Sequence, residues 1–203
     1  MTTSVIDIDR KEIPLAAGIL AQAFRDDPIF AHIFGTRQYY DHAAPRLFRS
    51  LAHWAALYGK AWATPGLEAV ALRRLPGKYP MSVWSLVRAG MLATPLSIPA
   101  TRRLLSITSQ LARKHKELMG EKPHWYCQTV AVASEHQGKG LGRVLMQHTF
   151  ALADAARLPC YLEVASDKAI TIHQRYGYAV QDSIVIPEAS LKVLLMIRPA
   201  RPT

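Results

Sequence analysis

The chain reads as an α/β domain, a mixed sheet flanked by helices. Half of its 203 residues are apolar, enough to bury one full core. Strand-like and helix-like runs follow one another along most of its length. Between a strand-like run over 126–133 and a helix-like run over 142–157 stands Gln137-Gly138-Lys139-Gly140-Leu141-Gly142. Alternate glycines there let the backbone turn successive N–H groups toward one point. The helix that follows adds its unpaired N–H groups and the positive end of its dipole. Strand, glycine turn and helix start together make a cradle for phosphate or pyrophosphate.

The elements follow in order. Residues 4–8 alternate as a strand does. Residues 11–24 place Ile13, Ala16, Ala17, Leu20 and Phe24 at helical spacing. Asp26-Asp27-Pro28 breaks that helix, and Asp27 caps a short new one with Pro28 in its first turn. A longer helix is predicted over 39–58 despite Pro45. Strands over 61–64 and 67–75 flank Pro65-Gly66, a hairpin signal. Helices over 81–92 and 100–118 are separated by a connector holding Pro95 and Pro99. After the glycine turn come a strand at 160–165, a helix at 167–176, a strand at 178–184 and a last strand at 192–197. That strand is nearly all apolar, which predicts burial on both faces.

Composition narrows the function. No run of 18 apolar residues occurs, so a spanning helix, and with it a membrane partner, is not expected. Residues 1–4 lack the charged-then-apolar pattern of a signal peptide. Cys127 and Cys160 lie in apolar strand-like runs and read as reduced core thiols; with the leader reading, they predict a cytoplasmic protein. The formal net charge of +10 suggests an anionic ligand, nucleic acid or an acidic surface, and equally fits a solvated basic face. Basic clusters stand at Arg73-Arg74, Arg102-Arg103 and Arg113-Lys114-Lys116. No nucleic-acid motif accompanies them, so nucleic acid is not expected as a partner.

Spacing excludes two familiar phosphate loops. A P-loop needs Ser or Thr after its Lys, and none follows Lys139. The dinucleotide fingerprint needs a third glycine where Arg143 stands. What remains, Gln137-x-x-Gly140-x-Gly142, resembles the pyrophosphate-binding signature of the GNAT superfamily of N-acetyltransferases. Its neighbours strengthen the likeness: His124-Trp125-Tyr126 opens the preceding strand, Val130-Ala131-Val132 runs into Glu135-His136-Gln137, and Arg175-Tyr176-Gly177-Tyr178 joins a helix to a strand. The order resembles the branch that includes puromycin N-acetyltransferase. The likeness is specific over 124–180 and weaker at 24–30 and 69–72.

The resemblance implies a single N-acetyltransferase domain over 1–203, with a helical insertion at 76–123 and an acetyl-CoA-binding core at 124–180. It implies a mostly antiparallel mixed sheet in which the strands at 126–133 and 160–165 splay apart to admit acetyl-CoA. The activity it implies is transfer of the acetyl group to a primary amine, that of a small molecule, by direct attack in a ternary complex. A homodimer is compatible with this reading.

Such a transfer needs a pyrophosphate anchor, a donor for the thioester oxygen, a neutral amine and a proton for the leaving thiolate. Gln137, Gly138, Lys139, Gly140, Leu141 and Gly142 form the anchor, with Arg143 as a nearby charge. The main chain of Val130, Ala131 and Val132 can pair with the pantetheine arm. The family's leaving-group Tyr sits four residues before the glycine of the closing Gly-aromatic pair, where this chain has His173; Tyr176, three residues on, shares its helix face. The ordinary imidazole pKa of about 6.5 suits His173 to proton transfer, and Tyr176 is the second candidate donor. Strand alternation puts Tyr161, Glu163 and Ala165 on one face, making Glu163 the candidate base, with a structural ion pair as its alternative role. Asp26 and Tyr126 are candidate acceptor-side residues. His148 reads as a hydrogen-bonded core histidine. His124, His136 and His148 lack metal-ligand spacing, so no metal is expected. Two other functions stay open: a catalytically weak acyl-CoA-binding or regulatory module, suggested by the departures at His173 and at Ala169, where the family often has Asn, and a nucleic-acid-binding protein, suggested by charge alone.

Overall fold

The computed structural model describes residues 4–79 and 81–202, so residues 1–3, read above as no signal peptide, lie outside it. Its strands are β1 Ile6–Asp7, β2 Lys60–Ala63, β3 Ala69–Arg74, β4 Trp125–Val132, β5 Cys160–Val164, β6 Ala179–Ile186 and β7 Leu191–Arg198. They form one sheet in the order β1-β2-β3-β4-β5-β7-β6. Every pairing is antiparallel except β4 with β5. This is the mixed, mostly antiparallel sheet flanked by helices that the sequence predicts.

Local chemistry accounts for most helix boundaries. Helix α1 is Ile13–Ala23, and α2 is Pro28–Phe34. The Asp27 carboxylate accepts from the N–H groups of Ile29 and Phe30 at the start of α2, with Pro28 in the first turn. Helix α3, Arg37–Tyr58, is capped by Thr36 and runs through Pro45. The helix expected over 81–92 is shorter: α4 covers Val83–Arg88, and Gly90, at φ +77°, turns the chain before a 3-10 turn at Met91–Ala93. A left-handed glycine ends a helix because the next carbonyls leave the ladder. Helix α5, Ile98–Met119, starts at the Ser97 cap. Helices α6, Leu141–Ala155, and α7, Asp167–Arg175, complete the chain.

Two apolar clusters lie on opposite faces of the sheet. On one face α1, α2, α3 and α5 pack against Val70, Leu72, Tyr126, Ala131 and Tyr161. On the other, Leu145, Met146, Phe150 and Ala153 of α6 pack against Trp62, Trp125, Cys127, Cys160 and Leu162. Strand β7 contributes Val193 and Leu195 to the first and Met196 to the second, so both its faces are packed. Cys127 and Cys160 are buried free thiols. His148 departs from its expectation. It is half-buried, and its ring stands edge-on to Trp62 with centroids 4.6 Å apart, an aromatic contact, with no hydrogen bond to the ring among the described residues.

A buried ion pair ties the end of α6 to β7. The guanidinium of Arg198 donates to both oxygens of Asp154 at 2.8 Å, over the face of Phe150 at 4.3 Å. Their side chains are 4% and 14% exposed, so removal of one partner strands the other charge in a dry site. Asp154→Ala is therefore expected to lower the unfolding free energy by about 3 kcal/mol, read from urea denaturation; a loss under about 1 kcal/mol would place the pair among weak surface bridges.

Candidate active site

The sheet is open at its centre. Strand β4 is eight residues long, yet it pairs with β5 only at Trp125↔Cys160 and Tyr126↔Tyr161. Beyond that point the two strands separate. A register shift between Leu72 and Arg73 on the β3 side leaves Gln128 of β4 without an opposite residue, and such a bulge bends a strand. The N–H of Ala133 donates to the Glu68 carbonyl, which sets the antiparallel alternation. Ala131 and Thr129 then turn their main-chain groups toward β3, and Val130 and Val132 turn theirs into the gap.

The glycine turn lies at the end of β4. Ser134–His136 forms one 3-10 turn, and Gly138 and Gly140 both take φ of +79°. That conformation costs a residue bearing Cβ about 1–2 kcal/mol. The Gln137 side-chain amide donates to the Val132 carbonyl at 3.3 Å, closing the turn onto the strand. The chain then enters α6, whose start carries no side-chain cap. Its first-turn N–H groups therefore have no partner in the helix and point toward the turn. Four helices, α2 to α5, are capped by Asp27, Thr36, Ser82 and Ser97. Lys139 and Arg143 are exposed beside the turn, and Leu141 and Gly142 are partly covered. The elements fit a diphosphate: free N–H groups, the positive end of a 15-residue helix and two exposed cations.

Glu163 stands on the opposite face of the sheet, one alternation past the fork. Its carboxylate accepts from the Tyr126 hydroxyl at 2.7 Å and the Tyr161 hydroxyl at 2.8 Å. Burial pushes its pKa above the ordinary carboxylate range, against the pull of the two tyrosines and the charge of Arg74. The guanidinium of Arg74 lies 4.5 Å from the Tyr126 ring centroid and 5.3 Å from that of Tyr79. Tyr79 stacks on Tyr126 at 5.7 Å and meets the His115 ring at 3.7 Å. Behind them His115 and His124 share a hydrogen bond at 2.8 Å. His124 Nδ1 contacts the Lys122 carbonyl at 2.7 Å, so it carries the proton. His124 Nε2 is then the acceptor and His115 Nε2 the donor. Burial, the His124 neighbour and Arg74 hold His115 down to about 3, a neutral ring at physiological pH.

The sequence locates Glu163 and Tyr126 but not Tyr79, Arg74 or His115. Tyr79 and His115 come from the segment least like any motif, and only packing brings them to the fork. Arg74 follows Arg73 along β3 and so faces the other side of the sheet. Arg73 itself is fully buried, with Thr149, the Leu72 and Thr129 carbonyls and the Met146 sulfur as partners.

The two candidate donors sit on the α6 face. His173 packs its ring edge-on to Tyr178, 5.5 Å between centroids, and its Nδ1 is buried without a partner among the described residues. Burial and, second, the charge of Arg73 hold its pKa down to about 4. The near-neutral value expected of a free imidazole is lost, so no imidazolium is available at neutral pH. Tyr176 ends α7 half-buried against Phe150; burial raises its pKa and Arg143 opposes the rise. Asp26 pairs with Arg37 at 2.6 Å on the surface, 82% exposed, and is not joined to the tyrosine cluster by any hydrogen bond among the described residues. Among those residues no group of three or more His, Cys, Asp or Glu is placed to hold a metal ion.

A model of the family described as Acetyltransferase (GNAT) family matches residues 106–178, from α5 through the fork to the residue before β6. An uncharacterised N-acetyltransferase of Schizosaccharomyces pombe is 26% identical over 197 residues, 94% of this chain and 80% of that protein. A Corynebacterium glutamicum structure, described as histone acetyltransferase HPA2 and related acetyltransferase, is 23% identical with a TM-score of 0.69, covering 100% of this chain and 99% of that one. The polyamine N-acetyltransferase of Drosophila melanogaster, described as forming N-acetylagmatine, is 13% identical with a TM-score of 0.61 over 97% and 98% of the two chains. The chain thus has the fold of these acetyltransferases.

The electrostatics of the site are open to direct measurement. Both imidazole values lie below the 6.5 of a free histidine, so the unfolded chain takes up protons that the folded chain refuses. Stability should be full above about pH 6.5 and decline as pH falls from there toward 4. Ring-selective NMR titration should find His173 and His115 still neutral at pH 5. A midpoint near 6.5 for either would mean that water reaches the ring.

Proposed function

We propose that the chain transfers the acetyl group of acetyl-CoA to a primary amine of a small molecule by direct attack in a ternary complex. One observation carries the reading: a sheet whose central strands separate after two residue pairs, beside an uncapped helix start on one face and a half-buried carboxylate on the other. The family match over 106–178 and the likeness to N-acetyltransferases support it. The motif order over 124–180 supports a place near the branch that includes puromycin N-acetyltransferase.

Acetyl-CoA supplies an activated thioester. Gln137, Gly138, Lys139, Gly140, Leu141, Gly142 and Arg143 hold its diphosphate. The gap-facing main chain of Val130 and Val132, with Ala131 between them, offers its pantetheine arm a strand edge. An amine arriving from the face of Tyr126 meets Glu163, which takes its proton directly or through one water. The raised pKa keeps that carboxylate basic enough to compete for it. On the other face Tyr176 protonates the leaving sulfur, because His173 is held neutral. A neutral His173 then fixes the ring packing at Tyr178. The surface position of Asp26 gives it at most a part in attracting a cationic acceptor.

A second reading, an acyl-CoA-binding module with weak turnover, rests on the low value of His173 at the position where the family places its Tyr. Thiol release on mixing the protein with acetyl-CoA and an amine panel separates the two. The enzyme reading expects turnover with at least one amine. Glu163→Gln should then cut kcat/KM about 10²–10⁴-fold and remove the acid-side loss of rate, and Tyr176→Phe should lower kcat more than His173→Phe. Tight binding with no turnover above the blank on any amine, lysine peptides included, leaves only the module.

A further inference from the structure

No described helix is long and apolar enough to cross a membrane, but a surface that lies in the lipid interface needs no span. From residue 69 to residue 116 the sequence contains no Asp or Glu, and it contains Arg73, Arg74, Lys78, Arg88, Arg102, Arg103, Arg113, Lys114 and Lys116. Arg73 is inside the sheet and Lys114 pairs with Asp182 and Glu117. Lys78, Arg88 and Arg102 are exposed.

Among the described residues, the same stretch carries the most exposed large apolar side chains. Trp84 is 79% exposed, Leu92 73%, Val83 72%, Ile98 70% and Leu105 61%. Anchoring explains their direction. The Trp54 indole N–H donates to Ser85 Oγ at 2.8 Å, and Leu86 packs on the core, so Val83, Trp84, Val87 and Arg88 of α4 turn outward. Ser50 of α3 holds the Thr94 hydroxyl at 2.9 Å, and the Ser97 N–H donates to the Tyr39 hydroxyl. The next helix then starts with Ile98, Arg102 and Leu105 at i, i+4 and i+7, one stripe of α5. Exposed indole and aliphatic groups interleaved with Arg88 and Arg102, which form no ion pair among the described residues, make an amphipathic face.

Three occupants compete for such a face. A second copy would bring Arg88 and Arg102 toward their own kind with no acid in the stretch to offset them. A nucleic-acid duplex would satisfy the arginines but leave Leu92, Val83 and Ile98 unburied, since sequence-independent duplex binding rests on phosphate contacts. An anionic lipid surface satisfies both halves: its charge attracts the arginines, and its acyl boundary buries the aliphatic groups with the indole at headgroup level. We infer that α4, the 3-10 turn after it and the first two turns of α5 form a docking surface for anionic lipid bilayers. The inference stands independently of the acetyl-transfer reading, since none of its residues belongs to the fork.

The test is flotation of the full chain with vesicles of phosphatidylcholine alone and of phosphatidylcholine with phosphatidylglycerol. Partition is expected only with the anionic vesicles. The paired substitutions Trp84→Ser with Leu92→Ser, and Arg88→Ser with Arg102→Ser, should each reduce it at least about tenfold, with circular dichroism unchanged because all four side chains are exposed. No flotation overturns the inference. Flotation that the Trp84/Leu92 pair leaves intact reduces the face to a solvated basic surface and overturns it too. Salt-sensitive duplex binding without vesicle binding assigns the face to nucleic acid, and a sedimentation dimer dissolved by the same pair assigns it to a second copy.

Discussion

The separation of β4 from β5 governs the rest of the structure. Two parallel strands that pair over two residues and then part leave one edge of β4 without its ladder, in the middle of a sheet where an unpaired edge is costly. The chain tolerates this because the other edge is bound to β3 on both sides of the Gln128 bulge and because each strand is fixed elsewhere, β5 by β7 and β4 by the two cores. The bulge at Gln128 supplies the bend, and the glycine turn supplies the exit. An unpaired stretch of β4 results, with the helix start on one face of the sheet and Glu163 on the other. Distance and direction in the proposed reaction follow from this: the phosphate end and the acceptor end lie on opposite faces.

Charge is arranged around the fork. Glu163 is held between two hydroxyls, with Arg74 stacked above Tyr126, so a carboxylate can remain in a half-buried place. The histidines beyond it are kept neutral by burial. Arg73 is fully buried with carbonyls, a hydroxyl and a sulfur as partners. Its charge adds to burial in lowering His173 on the same, α6 face of the sheet. In the proposed reaction a histidine in the place of a family tyrosine is a packing group, and Tyr176 takes the proton-donating role.

Features that depend on local geometry were legible in the sequence. Gly138 and Gly140 mark a left-handed turn because few other residues accept it, and Asp27-Pro28 marks a helix start because cap and first turn lie side by side. Alternation placed Tyr161 and Glu163 on one face, where a hydrogen bond now joins them. The break at Gly90 was also written in the sequence but was masked by the helical spacing around it. What packing alone decides was not legible. Tyr79, Arg74 and His115 reach the fork from three separate segments, and the value of His173 depends on how many atoms cover its ring. His148 shows the same limit: its spacing fits a core helix face, and only its neighbour Trp62 determines that it makes a ring contact.

The central claim is that main-chain amides at the glycine turn and the start of α6 grip a diphosphate beside the open strand edge. Calorimetry of acetyl-CoA against the full chain and against Gly140→Val tests it most directly, since a β-branched residue at φ +79° disturbs the turn without touching Glu163. The account predicts one site per chain, weakened about tenfold or more in the variant. Absence of binding to the full chain, or equal affinity in both proteins, would contradict it.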